Sequence, residues 1–342
     1  ITEALPEIRF NSRWQNPSLI KQSLRGADTE FDTVLMGTSM GQNFIPSELQ
    51  SALGSGRVLK LNMPGSLPEM DLLVMEMVLQ SPNVRRVLWE ISPHYSRVET
   101  TSLSQMDTFP LHLYGDGWTD LTRTLFSADT TRMSLRSLTN GHQTLEYDNW
   151  NTWYIEDQWS EWREAQLLER LPALTGKVLS VHPRTEPILC RSEEGEIEFG
   201  YPIIDRVAEL IRQRPDVEFD FFFPPRSALY YAQIEEDLDR LLEMEPHFVR
   251  RLTGPAGVDV HGFGDVGEIV LDLNHYKDEG HYGPEINRWM AKAIGERTHR
   301  LTPETIERYQ KQRIDHIRRV IAEVHDGSFE VRQPPADRPP LP

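Results

Sequence analysis

The chain has 342 residues, and 36 Lys and Arg against 53 Asp and Glu give it a formal net charge of −17. This balance argues against a general nucleic-acid binder and against docking on anionic lipid through a broad basic face, because both need clustered cations. No run of 18 apolar residues could span a bilayer. The single cysteine, Cys190, excludes an intramolecular disulfide and any chemistry that needs a pair of thiols.

Short apolar runs alternate with amphipathic segments along much of the chain, a pattern typical of a parallel sheet covered by helices. The leading segment, residues 1–30, is predicted to contain a short helix, and one α/β domain is predicted over 31–325. The proline-rich tail, residues 326–342, is predicted to be extended or disordered. Strands are expected at 31–36, 57–62, 84–91, 217–223 and 257–263, and helices at 46–53, 68–80, 203–213, 228–245, 284–295 and 303–325.

This rhythm is interrupted over about residues 96–200, which we interpret as an aromatic-rich insertion. Trp150, Trp153, Trp159 and Trp162 lie close together there. Trp150 and Trp153 are candidates for stacking against sugar rings. The favoured alternative is that these rings form the core of the insertion itself, because aromatic side chains dominate small cores.

A serine follows the first predicted strand in the sequence Gly37-Thr-Ser39-Met-Gly41. At such a strand-to-helix turn, the Ser39 hydroxyl can be exposed while nearby amides stabilise an oxyanion. The motif also fits the nucleophile elbow of α/β-hydrolases, but only about 36 residues and one convincing strand precede it. On local pattern alone, a turn that caps the next helix is the favoured explanation, because short Gly and Ser patterns are frequent in turns.

A second polar motif, DLNHYKDEGHYGPE, runs from Asp272 to Glu285 and contains two overlapping Asp-x-x-His units. A carboxylate three residues before a histidine can accept a hydrogen bond from the ring and stabilise the imidazolium that forms when the histidine takes a serine proton. A polar surface loop is the plain alternative. A metal site is disfavoured here because no common ligand spacing completes it.

Four segments of this chain resemble blocks of the SGNH/GDSL-type hydrolases, in the branch related to extracytoplasmic polysaccharide O-acyltransferases and esterases. FDTVLMGTSM resembles the first block, with Thr38 where aspartate is usual, and LNMPGS resembles the second. VLWEIS occupies the position of the third but lacks its Gly-x-Asn-Asp, and YKDEGHYGPEINRWMAKAI resembles the last. The resemblance covers roughly residues 30–95 and 200–296. It implies a three-layer α/β/α, flavodoxin-like fold with a parallel sheet.

The resemblance also implies roles for individual residues. Ser39 would be the nucleophile, His281 the general base and acid, and Asp278 its orienting partner. Asp272 and His275 are the competing pair. The backbone amides of Ser39 and Gly65 would form the oxyanion hole, with Asn43 and Asn62 as candidates for the missing third donor. Arg226, after Pro-Pro at a strand end, pairs with a surface carboxylate or contacts an anionic substrate group.

The function implied is hydrolysis or transfer of an acyl group, most simply acetyl, on a cell-surface or exported polysaccharide, with no metal and no organic cofactor. The expected partners are a carbohydrate or acyl-ester substrate and, as a candidate, a membrane acyl-donor protein. The net charge favours a neutral substrate. The alternative is an inactive scaffold that binds glycan or a partner in an export complex. The resemblance also implies an extracytoplasmic location, with a signal or anchor upstream of Ile1.

Overall fold

A computed structural model of the chain describes residues 12–24, 30–96, 109–115, 117, 122, 147–148, 151–153, 189–192, 195–198, 201–233, 235–326 and 328. Its main sheet is parallel and consists of the strands β1 (Phe31–Met36), β2 (Arg57–Lys60), β3 (Arg86–Glu90), β6 (Glu218–Phe223) and β7 (Val258–Gly262). A separate antiparallel pair, β4 (Leu189–Ser192) and β5 (Gly195–Glu198), lies within the region interpreted as an insertion.

The helices are α1 (Ser12–Ser23), α2 (Pro46–Leu53), α3 (Pro68–Leu79), α4 (Leu111–Tyr114), α5 (Pro202–Gln213), α6 (Ala228–Gln233), α7 (Glu235–Leu252), α8 (Gly267–Val270), α9 (Pro284–Gly295) and α10 (Ile306–Asp326). The helices α2, α3, α5 and α9 each begin with proline at the first turn. Proline is favoured there because its fixed φ suits a helix and its missing N–H would have no partner in the helix.

The strand order β2-β1-β3-β6-β7 is the order of a flavodoxin-like doubly wound sheet. On one face α2 packs against α9, and on the other α3 contacts α1 and α5, while α5 contacts α7. The predicted three-layer α/β/α arrangement around a parallel sheet is therefore confirmed.

The two faces of β6 carry different parts of the core. Phe221 and Phe223 both pack edge-on against Phe248 of α7, with ring centroids 5.3 and 5.6 Å apart. Phe222 points the other way and contacts Phe44, 5.8 Å away in the loop before α2. This burial on both sides explains why β6 is a continuous apolar run rather than an alternating one.

Most predicted elements agree with the structure to within a few residues. The C-terminal end of the helix predicted at 228–245 was wrong. Helix α7 continues through Pro246 to Leu252. An interior proline costs a helix about 3 kcal/mol. Phe248, Val249 and Leu252 are almost fully buried after it, and burying a large apolar side chain contributes about 1.5–3 kcal/mol each. Burial therefore outweighs the cost of the proline.

The leading segment contains α1, whose Ile20 is fully buried, as is Leu24 just after it. Trp150, Trp159, Trp162, residues 1–11 of the leading segment and nearly all of the proline-rich tail lie outside the described residues. Among the described residues, no helix combines the length and the hydropathy that a membrane crossing requires.

Candidate active site

Three side chains meet at the carboxyl edge of the sheet. Ser39 follows β1, while Asp278 and His281 lie on the loop between α8 and α9. The Ser39 Oγ atom is 2.8 Å from His281 Nε2, and His281 Nδ1 is 2.8 and 3.0 Å from the two carboxylate oxygens of Asp278. These distances are within the range expected for a serine, its base and the group that orients the base. Ser39 and His281 are partly exposed, so a substrate can reach them.

Asp278 is fixed in place by its own loop. Its Oδ1 accepts hydrogen bonds from the backbone N–H groups of Gly280 and His281, at 2.9 and 2.8 Å. Burial raises the pKa of Asp278, but hydrogen bonds and the charge of His281 outweigh it and lower the pKa to about 2. The group is therefore a carboxylate at neutral pH, which keeps a proton on Nδ1 and leaves the Nε2 lone pair facing Ser39.

The turn that carries Ser39 is held by a buried carboxyl group. Glu90, the last residue of β3, is fully buried. Its two oxygens accept from the Thr38 backbone N–H at 2.8 Å and the Thr38 hydroxyl at 2.6 Å. The Thr38 hydroxyl in turn accepts from Met40 N at 3.3 Å. Glycine is required at Gly37, because its φ is +131° and a Cβ there would lie 2.5 Å from the Glu90 Cβ.

The charge of Arg226 acts on this buried acid. Burial raises the pKa of Glu90, and the charge of Arg226 and the Thr38 hydrogen bonds offset part of the rise. The Arg226 guanidinium also lies over the Tyr230 ring, 4.6 Å from its centroid. In the described part of the chain its buried Nε makes no hydrogen bond, and no carboxylate forms an ion pair with it. The surface ion pair expected for Arg226 is thus not observed among these residues.

The residues predicted for the oxyanion hole lie on the turn after β2 and the turn after β1. Gly65 is exposed at φ +59°, and its turn is tied to the Ser39 turn by Met63 N, which donates to Gly37 O at 2.8 Å. Asn62 is fully buried, and its side-chain amide donates to Thr38 O at 3.2 Å. That N–H therefore supports the nucleophile turn instead of facing a substrate. Asn43 is also buried.

The competing pair, Asp272 and His275, forms a separate arrangement. Asp272 Oδ1 caps the following turn by accepting from Asn274 N at 3.0 Å. His275 is buried, with Nε2 3.9 Å from Asp272 and Nδ1 3.6 Å from Glu285. The structure brings His281, not His275, within hydrogen-bond distance of Ser39.

Trp153 contacts the triad directly. Its indole N–H donates to Ser39 O at 2.8 Å, and its ring lies edge-on to His281 with centroids 5.3 Å apart. The Lys277 ammonium lies over the ring, 4.9 Å from its centroid. One face of the indole is therefore covered by Lys277. Trp150 lies outside the described residues.

The short segment 151–153 is attached to the base of the site by polar contacts. Asn151 accepts from the Gln42 side chain at 2.5 Å and donates to Asn62 O at 2.9 Å. Thr152 Oγ1 accepts from Lys60 at 3.2 Å. These bonds place Trp153 beside Ser39, more than 110 residues earlier in the chain.

Lys60, the last residue of β2, is fully buried. Its ammonium donates to the carbonyl oxygens of Gln42 and Phe44 at 2.7 and 3.2 Å. Burial lowers its pKa to about 7. Lys60 therefore connects the loop after the nucleophile to segment 151–153, a role that the sequence analysis did not assign.

Comparison with known proteins adds little to this geometry. No family model and no curated protein matches the chain. One solved structure, of a Streptococcus pneumonia protein provisionally described as a platelet activating factor, is similar over 84% of this chain and 89% of its own. The TM-score is 0.37 and the identity is 11%. At that level the similarity carries no argument, so the assignment of the site depends on the contacts described above.

Proposed function

We propose that the protein is a serine esterase or O-acyltransferase that uses Ser39, His281 and Asp278 as its catalytic residues. The observation that carries the proposal is the continuous chain of hydrogen bonds from the Ser39 hydroxyl through His281 to the ionised Asp278. The partial exposure of Ser39 adds support, because an ester must be able to reach the hydroxyl.

The proposed reaction has two acyl-transfer steps. The Ser39 Oγ attacks the ester carbonyl carbon while His281 Nε2 takes the hydroxyl proton, and the resulting oxyanion is stabilised by the amides of Ser39 and Gly65. The ester C–O bond then breaks, and His281 gives its proton to the departing alkoxide. Water or a sugar hydroxyl, deprotonated by His281, attacks the acyl carbon; the bond from that carbon to Ser39 Oγ breaks, and His281 returns the proton to Ser39. No metal or organic cofactor enters either step.

We infer that the substrate is an acetylated carbohydrate, in line with the SGNH-type resemblance and an extracytoplasmic location. The net charge of −17 disfavours a polyanionic polymer at long range. The Trp153 ring offers an apolar surface next to the nucleophile, and such surfaces suit sugar rings. Whether water or a sugar is the acceptor depends on which hydroxyl reaches the acyl-enzyme.

Turnover of p-nitrophenyl acetate tests the proposal. We expect Ser39→Ala and His281→Gln to abolish turnover, while Ser51→Ala, at an exposed serine on α2, leaves it unchanged. His275→Gln is the matched control for the histidine, because it removes the imidazole of the competing pair from the same loop. Equal loss in His275→Gln and His281→Gln would contradict the assignment. No turnover by a folded wild-type protein would favour the inactive scaffold.

A further inference from the structure

A second cluster of polar side chains lies on β6 and β7, away from the triad. Asp220 and Asp259 are direct neighbours across the two strands, and His261 lies two residues beyond Asp259 on the same face. Their ligand atoms lie within 4.8 Å of one another. The two aspartates lie in the first half of their strands, whereas the triad lies beyond the carboxyl ends. The proposed ester chemistry therefore leaves this cluster unexplained.

His261 has an unusual environment for a histidine without exposure to solvent. Its Nδ1 is 2.8 Å from Thr298 O, and since a carbonyl only accepts, Nδ1 carries the proton. In neutral imidazole, Nε2 then presents a lone pair, and it faces Asp220 Oδ1 at 3.7 Å. Nε2 is buried and makes no hydrogen bond in the described part of the chain. Two lone pairs that face each other in a buried site repel unless a positive charge, either a metal ion or a second proton on the ring, lies between them.

In each of the two carboxylates, one oxygen is paired closely with an arginine and the other is not. Asp220 Oδ2 accepts from Arg86 Nε at 2.6 Å, which leaves Oδ1 facing His261. Asp259 Oδ1 pairs with Arg300, while its Oδ2 is 4.0 Å from Arg297, beyond hydrogen-bond distance. Metal-binding carboxylates and histidines are commonly oriented in this way, by a second partner on the atom that does not bind the ion.

A cavity of about 280 Å³ gives access to the cluster from solvent. Asp220 and Asp259 lie on its wall, together with Glu218, Arg297 and Arg300. The cavity opens beside the first residues of β6 and β7, at the opposite edge of the sheet from Ser39. An ion could therefore reach the two carboxylates without passing the triad, and water in the cavity could complete its coordination.

We propose that Asp220, Asp259 and His261 bind one divalent transition-metal ion of the zinc type. One imidazole nitrogen and two carboxylate oxygens are ligands that zinc accepts, with water from the cavity as the fourth. Arg86 and Arg300 neutralise the carboxylates when the ion is absent and orient them when it is bound. The ion would tie β6 and β7 together and, through Thr298, the turn that follows α9. The site is structural and independent of the proposed ester chemistry.

Titration of the full chain, first stripped with EDTA, tests this proposal with Zn²⁺ by calorimetry and with Co²⁺ by visible absorption. We expect one ion per chain and a tetrahedral Co²⁺ spectrum. His261→Gln and Asp259→Asn should each weaken binding by more than about 10-fold, the lower end of what losing a second-shell partner costs. His275→Gln, a buried histidine near two carboxylates on another loop, should bind like wild type.

Two outcomes would overturn the proposal. One is the absence of stoichiometric binding by the folded wild-type chain. The other is binding that survives in both His261→Gln and Asp259→Asn, which would place the ion elsewhere. Asp259 lines the cavity, so its variant tests the site even if His261→Gln does not fold. Nitrogen-15 shifts of His261 that report a doubly protonated ring, unchanged by Zn²⁺, would also overturn it in favour of a simple ion pair with Asp220.

Discussion

Replacing Glu90 by Gln should show whether Glu90 acts on kcat, by positioning the turn that carries Ser39, or only on the free energy of unfolding. Glu90 accepts two hydrogen bonds from Thr38, the residue directly before Ser39. A neutral hydrogen bond contributes about 0.5–1.5 kcal/mol, and a buried donor left without an acceptor costs about 1–3 kcal/mol. Glutamine keeps one accepting oxygen and turns an NH₂ group toward the other donor. The interaction between residue 90 and the Thr38 turn should therefore weaken by about 2–3 kcal/mol.

If this whole interaction energy is lost from the transition state, kcat falls by up to about 100-fold, since 1.36 kcal/mol corresponds to a factor of ten. The free energy of unfolding should change less than this, because Gln also removes the cost of burying an ionisable group. Glu245→Gln is the matched control. Glu245 is equally buried and pairs with Arg313 through both oxygens at 2.6 Å, away from the triad. It should destabilise the fold while the folded fraction keeps its kcat.

The assays are p-nitrophenyl acetate turnover and urea unfolding of each variant. The reasoning is refuted if Glu90→Gln keeps the wild-type kcat, or if its loss of activity only follows the fraction of unfolded protein.

Three further changes test other parts of the site and the core. Asp278→Asn should reduce kcat by roughly 10³–10⁴-fold, because an amide does not hold the His281 tautomer; a loss below tenfold in steady-state turnover would contradict the triad. Trp153→Phe removes the indole hydrogen bond to Ser39 O, worth about 1 kcal/mol of folding stability. We therefore expect urea unfolding to report a loss of about that size and turnover of the folded protein to fall by up to about fivefold, and an unchanged rate would argue against a positioning role. Asp71→Asn should gain stability relative to wild type as the pH rises. Burial raises the pKa of Asp71 to about 8, so the folded wild type binds more protons than the unfolded chain between about pH 4 and 8. The wild type therefore loses stability as the pH rises across that window, by up to the order of 5 kcal/mol. Urea unfolding of both proteins at pH 5 and pH 8 measures this loss, and a difference between variant and wild type that does not change with pH would contradict the buried, protonated carboxyl group.

The main sheet could be predicted because each strand is a compact apolar run that ends at turn-forming residues. The run at 31–36 ends at Gly37, and the run at 217–223 ends at Pro224. These signals also placed Ser39 and the loop of His281 at the same edge of the sheet, since parallel strands share their carboxyl ends. The choice between His281 and His275 could not be decided by spacing, because both follow an aspartate by three residues. It depends on how the loop returns toward β1.

Glu90 and Lys60 were missed although each leaves a trace in the sequence. Both are the last residue of a strand that is otherwise largely apolar, VLWE and RVLK. A charged residue in that position usually indicates the point where a strand reaches solvent. Here both side chains are fully buried, because Thr38 donates to one and two carbonyl oxygens accept from the other. Partners of this kind come from other parts of the chain, which no local pattern specifies.

The role of Trp153 could not be predicted for a related reason. Its spacing from Trp150 favoured one helical face within an independent core, yet its indole binds the Ser39 carbonyl oxygen. That contact depends on how Asn151 and Thr152 dock on residues near the end of β2. It is a long-range arrangement across more than 100 residues.

The central claim is that Ser39 is a nucleophile activated by His281, and covalent labelling tests it most directly. Folded protein is treated with a fluorophosphonate or an activated acetyl ester, and the modified peptide is identified by mass spectrometry. The account predicts a single adduct on Ser39, absent in Ser39→Ala, strongly slowed in His281→Gln and retained in His275→Gln. No adduct on the folded wild-type chain, or an adduct on another serine, would contradict it.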